Sequence, residues 1–132
     1  MGLDIGDKRI GVALSDPGSI LASPYAIIER KDEIQDIGAI IDIVNRQGVG
    51  LIIAGLPLSM DGGIGHQAAK IKDFVDTLAN RTQVPVDYRD ESLTTVEARR
   101  IMLKSRSKKN RQKSRDDSVA AAVLLQGYLD EE

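Results

Sequence analysis

Gly2-Leu3-Asp4-Ile5-Gly6-Asp7-Lys8-Arg9-Ile10-Gly11-Val12-Ala13-Leu14-Ser15 is the stretch that decides the fold. Residues 1–5 are a short apolar run carrying one acid, Asp4, and Gly6-Asp7-Lys8 supplies turn residues directly after it. From Arg9 to Ser15 the sequence alternates, with Ile10, Val12 and Leu14 on one side and Gly11, Ala13 and Ser15 on the other. A period of two is that of a strand, and a face made of Gly, Ala and Ser lets something approach closely. Leu21 to Glu29 gives a third strand after the turn Asp16-Pro17-Gly18. Short turns between the three predict an antiparallel meander.

The period then changes. Ile34, Ile37, Ile40, Ile41 and Val44 follow helical spacing, and Gly48 marks the end of that helix. Val49 to Ala54 is a compact apolar strand closed by Gly55-Leu56-Pro57. Ile64, Ala68, Ile71, Val75 and Leu78 step by four and three, predicting a second helix, and Val84 to Tyr88 reads as a fifth strand. Thr94 and Glu97 have capping-box spacing and open a third helix to about Leu103, and a last helix runs from about Asp116 to Leu129. The order β-β-β-α-β-α-β-α-α predicts one α/β domain over residues 1–132. Its five-stranded mixed sheet has three antiparallel and then two parallel strands, flanked by helices. With strands one, four and five parallel, their C-terminal ends open on one edge, where α/β sheets place ligands. That edge would carry Asp4, the loop Gly55-Leu56-Pro57-Leu58-Ser59 and Asp90-Glu91. Asp117 joins them only if the last helix returns there.

Composition narrows the function classes. At 132 residues, 42% hydrophobic and 29% charged, the chain has ordinary globular make-up, and with 3% aromatics its core must be aliphatic. Zero cysteines exclude a disulfide framework and a thiolate metal site. No apolar run approaches the ~20 residues of a membrane span, so a cytoplasmic protein is expected. The net charge of −2 hides a segment, residues 104–115, holding seven of the 18 bases and none of the 20 acids. The remainder stands at −9. Lys108, Lys109, Arg111 and Lys113 in that segment are candidate contacts to a nucleic-acid backbone, and so are Lys8 and Arg9 near Asp4. The segment has no aromatic residue on which bases could stack.

Each acid also has an ordinary structural explanation. Asp4 can form a turn, Glu91 can lie in a solvated loop, and Asp116 and Asp117 can favour a helix start through its dipole. The last helix adds information, because Val119 to Leu125 is too apolar for a surface helix and Asp117 heads the face of Ala121, Leu124 and Tyr128. A carboxylate at the head of a buried face needs a charged partner, and a metal ion would serve. Carboxylates without cysteine suit Mg²⁺ or Mn²⁺ rather than zinc, and the single histidine, His66, reads as a surface residue. The loop Gly55 to Gly63 lacks the Gly-Lys-Ser/Thr of a nucleotide P-loop, although its amides could hold a phosphate.

Four ordered stretches resemble the YqgF/RuvX family. They are Gly2 to Ala13; Gly55-Leu56-Pro57-Leu58-Ser59-Met60-Asp61-Gly62; Asp90-Glu91-Ser92-Leu93-Thr94-Thr95-Val96-Glu97-Ala98; and Asp117-Ser118-Val119-Ala120-Ala121 through Leu125-Gln126-Gly127-Tyr128-Leu129. The resemblance covers essentially the whole chain. It implies an RNase H-like fold related to RuvC resolvases and a metal-dependent nuclease site, with Asp4, Glu91 and Asp117 as catalytic and metal-binding acids. Members have been described both as Holliday junction resolvases and as nucleases maturing the 5′ end of pre-16S rRNA. Two departures are visible. Members usually carry several residues before the first motif, so the first strand reads as short and weakly held, and Ser92 stands where many members have Arg.

The expected activity is therefore Mg²⁺- or Mn²⁺-dependent cleavage of structured nucleic acid, pre-rRNA first and branched DNA second, by a monomer or homodimer. A non-catalytic nucleic-acid-binding module is the alternative from another class. An actin-like ATPase is disfavoured, since such folds need two domains around the nucleotide.

Overall fold

The computed structural model describes residues 1–57, 65–90 and 113–131, with the side chains of 113–116 excepted. Its elements are β1 (Gly2–Ile5), β2 (Arg9–Ser15), β3 (Ala22–Glu29), α1 (Glu33–Gln47), β4 (Ile52–Leu56), α2 (His66–Arg81), β5 (Val86–Asp90) and α3 (Lys113–Asp130). The helix expected from Thr94 to Leu103 and the basic residues 104–112 lie outside the described residues.

The strands form one sheet in the order β3-β2-β1-β4-β5. The meander is present: β1 pairs antiparallel with β2, and β2 with β3, with a bulge between Val12 and Ala13. The parallel pairs β1–β4 and β4–β5 follow helical connections. Far from being weakly held, β1 is the central strand. Leu3 and Ile5 are buried, and the Ile53 amide donates to the Met1 carbonyl at 2.8 Å.

Alternation along the strands separates two cores. Leu3, Ile5, Ile10, Val12, Ile52 and Ala54 pack with α1 and α2, while Ala13 and Ile53 pack with Ala121, Ala122, Leu124 and Leu125 of α3. At roughly 25 cal/mol per Å² of apolar surface removed from water, these faces supply the main driving force; the core is aliphatic except for buried Phe74 and the partly buried Tyr88 packed against it.

Helix α1 starts where Asp32 accepts a hydrogen bond from the Gln35 amide at 2.8 Å. Such a cap is worth about 1 kcal/mol. It stops at Gly48, whose left-handed backbone (φ 66°) a side chain would strain. Its buried stripe is Asp36, Ile37, Ile40, Ile43 and Val44. Two residues expected on that face sit elsewhere: Ile41 is at its margin and Ile34 is 67% exposed. The stripe is centred near Ile40, and six residues at 3.6 per turn put Ile34 about 120° round the helix from it, off the buried face. In α2 the buried set is Ala68, Ile71, Phe74, Val75 and Leu78, and Ile64 lies outside the described residues.

Three boundaries differ from expectation. Strand β4 begins at Ile52 rather than Val49, because the Val49 amide bonds back to Val44 in the close of α1. Strand β5 begins at Val86 rather than Val84, since Pro85 has no amide to donate and Val84 bonds to Thr82. Helix α3 is already formed at Lys113, so Asp117 stands inside it and the helix-start explanation of that acid does not apply. Among the described residues no helix is long and apolar enough to cross a membrane.

Candidate active site

Asp4 is half-buried in β1 and directly faces Gly11 across the β1–β2 ladder. Directly opposed residues project to the same face of a sheet, with Cβ positions ~4.5–5.5 Å apart. That face is the one covered by α3. A Cβ added at Gly2 would lie 2.7 Å from the Ala121 carbonyl oxygen, and one added at Gly11 would collide with the Asp117 carbonyl and come 2.8 Å from the Ser118 amide nitrogen. The small-residue face of β2 thus has a structural cause: the backbone of α3 rests on it. Because contact passes from Gly11 at Asp117 to Gly2 at Ala121 and Leu125, α3 runs antiparallel to β1. Asp117 is therefore at the C-terminal end of β1, on the face where Asp4 projects. The last helix thus returns to that edge.

The rest of that edge follows from register. Leu3 pairs with Ala54 and Gly55 with Arg89, so Gly55 and Arg89 continue the level of Asp4 into β4 and β5. Arg89 projects towards α3, lies over Gly127 and pairs with Glu131. Sequence reading missed Arg89. Its signal was available, since Val86 and Tyr88 alternate with Asp87 and Arg89, placing the last two on the other face. Tyr88 packs on the α1–α2 side, where burial and the neighbouring Asp76, 3.3 Å away, raise its pKa to about 12.

Arg9 stands two residues from Gly11, hence on the α3 face, with its Nε 3.5 Å from Glu29. That buried Nε has no hydrogen-bond partner among the described residues. Lys8 is exposed at the hairpin tip. Of the other expected contacts, Glu91, Lys108, Lys109 and Arg111 lie outside the described residues, as does the side chain of Lys113 and loop residues 58–64. His66 is exposed at the start of α2. Among the described residues no group of three or more His, Cys, Asp or Glu could hold a metal ion. Asp4 and Asp117 are the two expected ligands among the described residues.

A second network was also missed. Asp36 is 2% exposed on the buried stripe of α1 and takes Nε of Arg30 at 3.2 Å, while Arg30 Nη1 donates to the Gly6 carbonyl at 2.9 Å. An acid at helical spacing with Ile40 and Ile43 was the signal. Two cavities of ≈ 430 Å³ lie elsewhere, one at the opposite end of β1 beside Met1, Leu51 and Tyr128, the other between β3 and α3 at Pro24 and Val123.

The chain matches the family described as "RuvX: Holliday junction resolvase" over residues 1–131. It is 47% identical to a Dehalococcoides mccartyi protein over 96% of this chain and 94% of that one, and 42% identical to a Halothermothrix orenii protein over 98% and 92%. Both carry the name "Putative pre-16S rRNA nuclease". Among solved structures, the chain resembles T. thermophilus RuvC in complex with Holliday junction substrate, with a TM-score of 0.60 and 14% identity over 98% of this chain and 92% of that one. The fowlpox virus Holliday junction resolvase gives a TM-score of 0.60 at 15% identity over 99% and 97%. At such identity these two likenesses establish the fold, which is RNase H-like.

Proposed function

This chain belongs to the RuvX family, and on that footing we propose that it is a divalent-metal-dependent endonuclease. Its substrate is structured nucleic acid, foremost the 5′ end of pre-16S rRNA in the cytoplasm. One observation carries the reading: the backbone of Asp117 rests on Gly11, the residue that faces Asp4 across the ladder. Two acids 113 positions apart in sequence thereby share one end of one sheet face.

Asp4 and Asp117 would hold the ion, and Glu91, which follows the last residue of β5, would complete its shell or orient the attacking water. Hard carboxylate oxygens, no cysteine and a lone exposed histidine fit Mg²⁺ or Mn²⁺. When bound, such an ion activates water and stabilises the leaving oxygen of a phosphodiester. Lys8 at the hairpin tip and Arg9 on the α3 face would meet backbone phosphate, as would Lys108, Lys109, Arg111 and Lys113. These contacts read charge rather than base identity. The names of the relatives favour rRNA as the substrate, and residues 1–132 act as one domain.

The deciding experiment incubates purified protein with 5′-extended 16S precursor and Mg²⁺, Mn²⁺ or chelator. The wild type should cleave only with metal, and D4N should lose at least about a hundredfold, since metal stabilisation of the transition state is worth several kcal/mol. Equal rates for D4N and wild type would refute the reading. Junction resolution is the second reading, favoured by the family's description. It needs two symmetry-related sites and hence a dimer, so a protein that sediments as a monomer on a four-way junction would count against it.

A further inference from the structure

Arg30, just past β3, makes four separate contacts. Its Nη1 donates to the Gly6 carbonyl at 2.9 Å, its Nε donates to Asp36 at 3.2 Å, its guanidinium lies 4.8 Å from the centre of the Phe74 ring, and its amide donates to the Lys8 carbonyl at 2.9 Å. Asp36 is fixed in turn, because its second oxygen accepts from the Lys31 amide at 3.0 Å. One arginine therefore ties the turn between β1 and β2 to α1 and α2.

This pair is on the α1–α2 side of the sheet, and Asp4 is on the α3 side, so Arg30 touches neither the proposed ion nor a phosphate. It grips the turn itself, which is closed by the Gly6 amide donating to the Arg9 carbonyl at 2.8 Å. The chain enters that turn from Asp4 and Ile5 and leaves it through Lys8 and Arg9. Packed apolar residues can match or exceed the stability of a buried ion pair, so stability alone does not explain one here. An arginine adds direction, with one donor aimed at a carbonyl and another held by a carboxylate.

We propose that Arg30, held by Asp36, is the positioning residue of the β1–β2 turn, setting Asp4 on one arm and Lys8 and Arg9 on the other. The proposal rests on the reading of Asp4 as a metal ligand. Outer partners that orient metal ligands typically change metal affinity by ~10–100-fold when removed.

The test measures Mn²⁺ binding by electron paramagnetic resonance without nucleic acid, together with amide exchange at Gly6 and at position 30, the two amides that close the turn. It uses wild type, R30M, R30K, D36N and D4N. R30M and D36N should weaken Mn²⁺ binding about tenfold and speed exchange at both amides, with the circular dichroism of the folded chain retained. R30K should recover part of the affinity, since an ammonium can still reach the Gly6 carbonyl but cannot also span to Asp36. A purely structural role would lower the melting temperature and leave Mn²⁺ affinity unchanged wherever the variants are folded, which would overturn the proposal. If R30M does not fold, R30K and D36N decide on the same criterion. Mn²⁺ binding that survives D4N overturns the metal reading and this inference with it. Binding lost in D4N but intact in the Arg30 and Asp36 variants overturns the positioning role alone.

Discussion

Gly11 lies directly beneath Asp117: a Cβ at position 11 would meet the Asp117 carbonyl and come 2.8 Å from the Ser118 amide nitrogen. The obstacle is helix backbone, which cannot swing aside as a side-chain end can. G11A should therefore lift the N-terminal part of α3 from the sheet and cost about 3 kcal/mol, the upper end of ordinary overpacking. Urea denaturation of wild type and G11A measures the cost. Because the lift moves Asp117 away from Asp4, metal-dependent cleavage by G11A should fall by more than its loss of folded protein.

Gly127 makes the contrasting case. A Cβ there would meet the end of the Arg89 side chain at 2.8 Å, and that guanidinium, paired with the exposed Glu131, can move. Losing part of an exposed pairing costs ~0–1 kcal/mol, whereas alanine in a helix gains up to ~1 kcal/mol over glycine. G127A should leave the urea midpoint nearly unchanged. A loss as large as that of G11A would mean that Arg89 is locked against α3.

The pKa of Tyr88 is raised to about 12, by burial first and then by the charge of Asp76. A raised pKa means that the folded state keeps its proton after the unfolded chain, with a tyrosine pKa of ~10, has released it. The stability associated with this group is complete below pH ~10 and is lost as pH rises towards 12. Y88F should flatten the decline between those values in chemical denaturation run at stepped pH. An identical decline in both proteins would contradict it.

Binding to single-stranded RNA should weaken steeply with salt. Contacts to about four phosphates give a log–log slope near −3, at ~0.7 per phosphate on a single strand. Replacing Lys108, Lys109 and Arg111 by alanine should bring the slope to about −1 if each meets one phosphate. Fluorescence anisotropy across a salt series reads this directly. An unchanged slope would remove the basic segment from the interface.

Much of this architecture was legible in the residues themselves. The period of two from Arg9 to Ser15 gave a strand whose small face had to receive something, and the helical spacing of Ile37, Ile40 and Val44 gave α1. What was not legible depended on partners distant in sequence. Ile34 fits the apolar period of α1 but is exposed, because the buried stripe is centred on Ile40 and takes in Asp36, which pairs with Arg30. Helix α3 is present from Lys113 rather than from about Asp116, and a run of bases carries no start or stop signal that separates helix from coil. The meeting of Asp4 with the Asp117 end of α3 needed two facts that spacing cannot supply, the β1–β2 register and the direction of α3 over it. Arg89 is marked in the sequence only by its alternation with Val86 and Tyr88, which gives its face but not the partners on α3 that it meets.

The central claim is that Asp4 and Asp117 share one divalent ion. Calorimetric titration of Mn²⁺ into wild type, D4N, D117N and the double variant tests it most directly. Each single substitution should weaken binding at least about tenfold, and the double variant should bind little worse than either, because ligands of one ion do not contribute independently. Wild-type affinity in D4N or D117N, or losses that simply add, would contradict it.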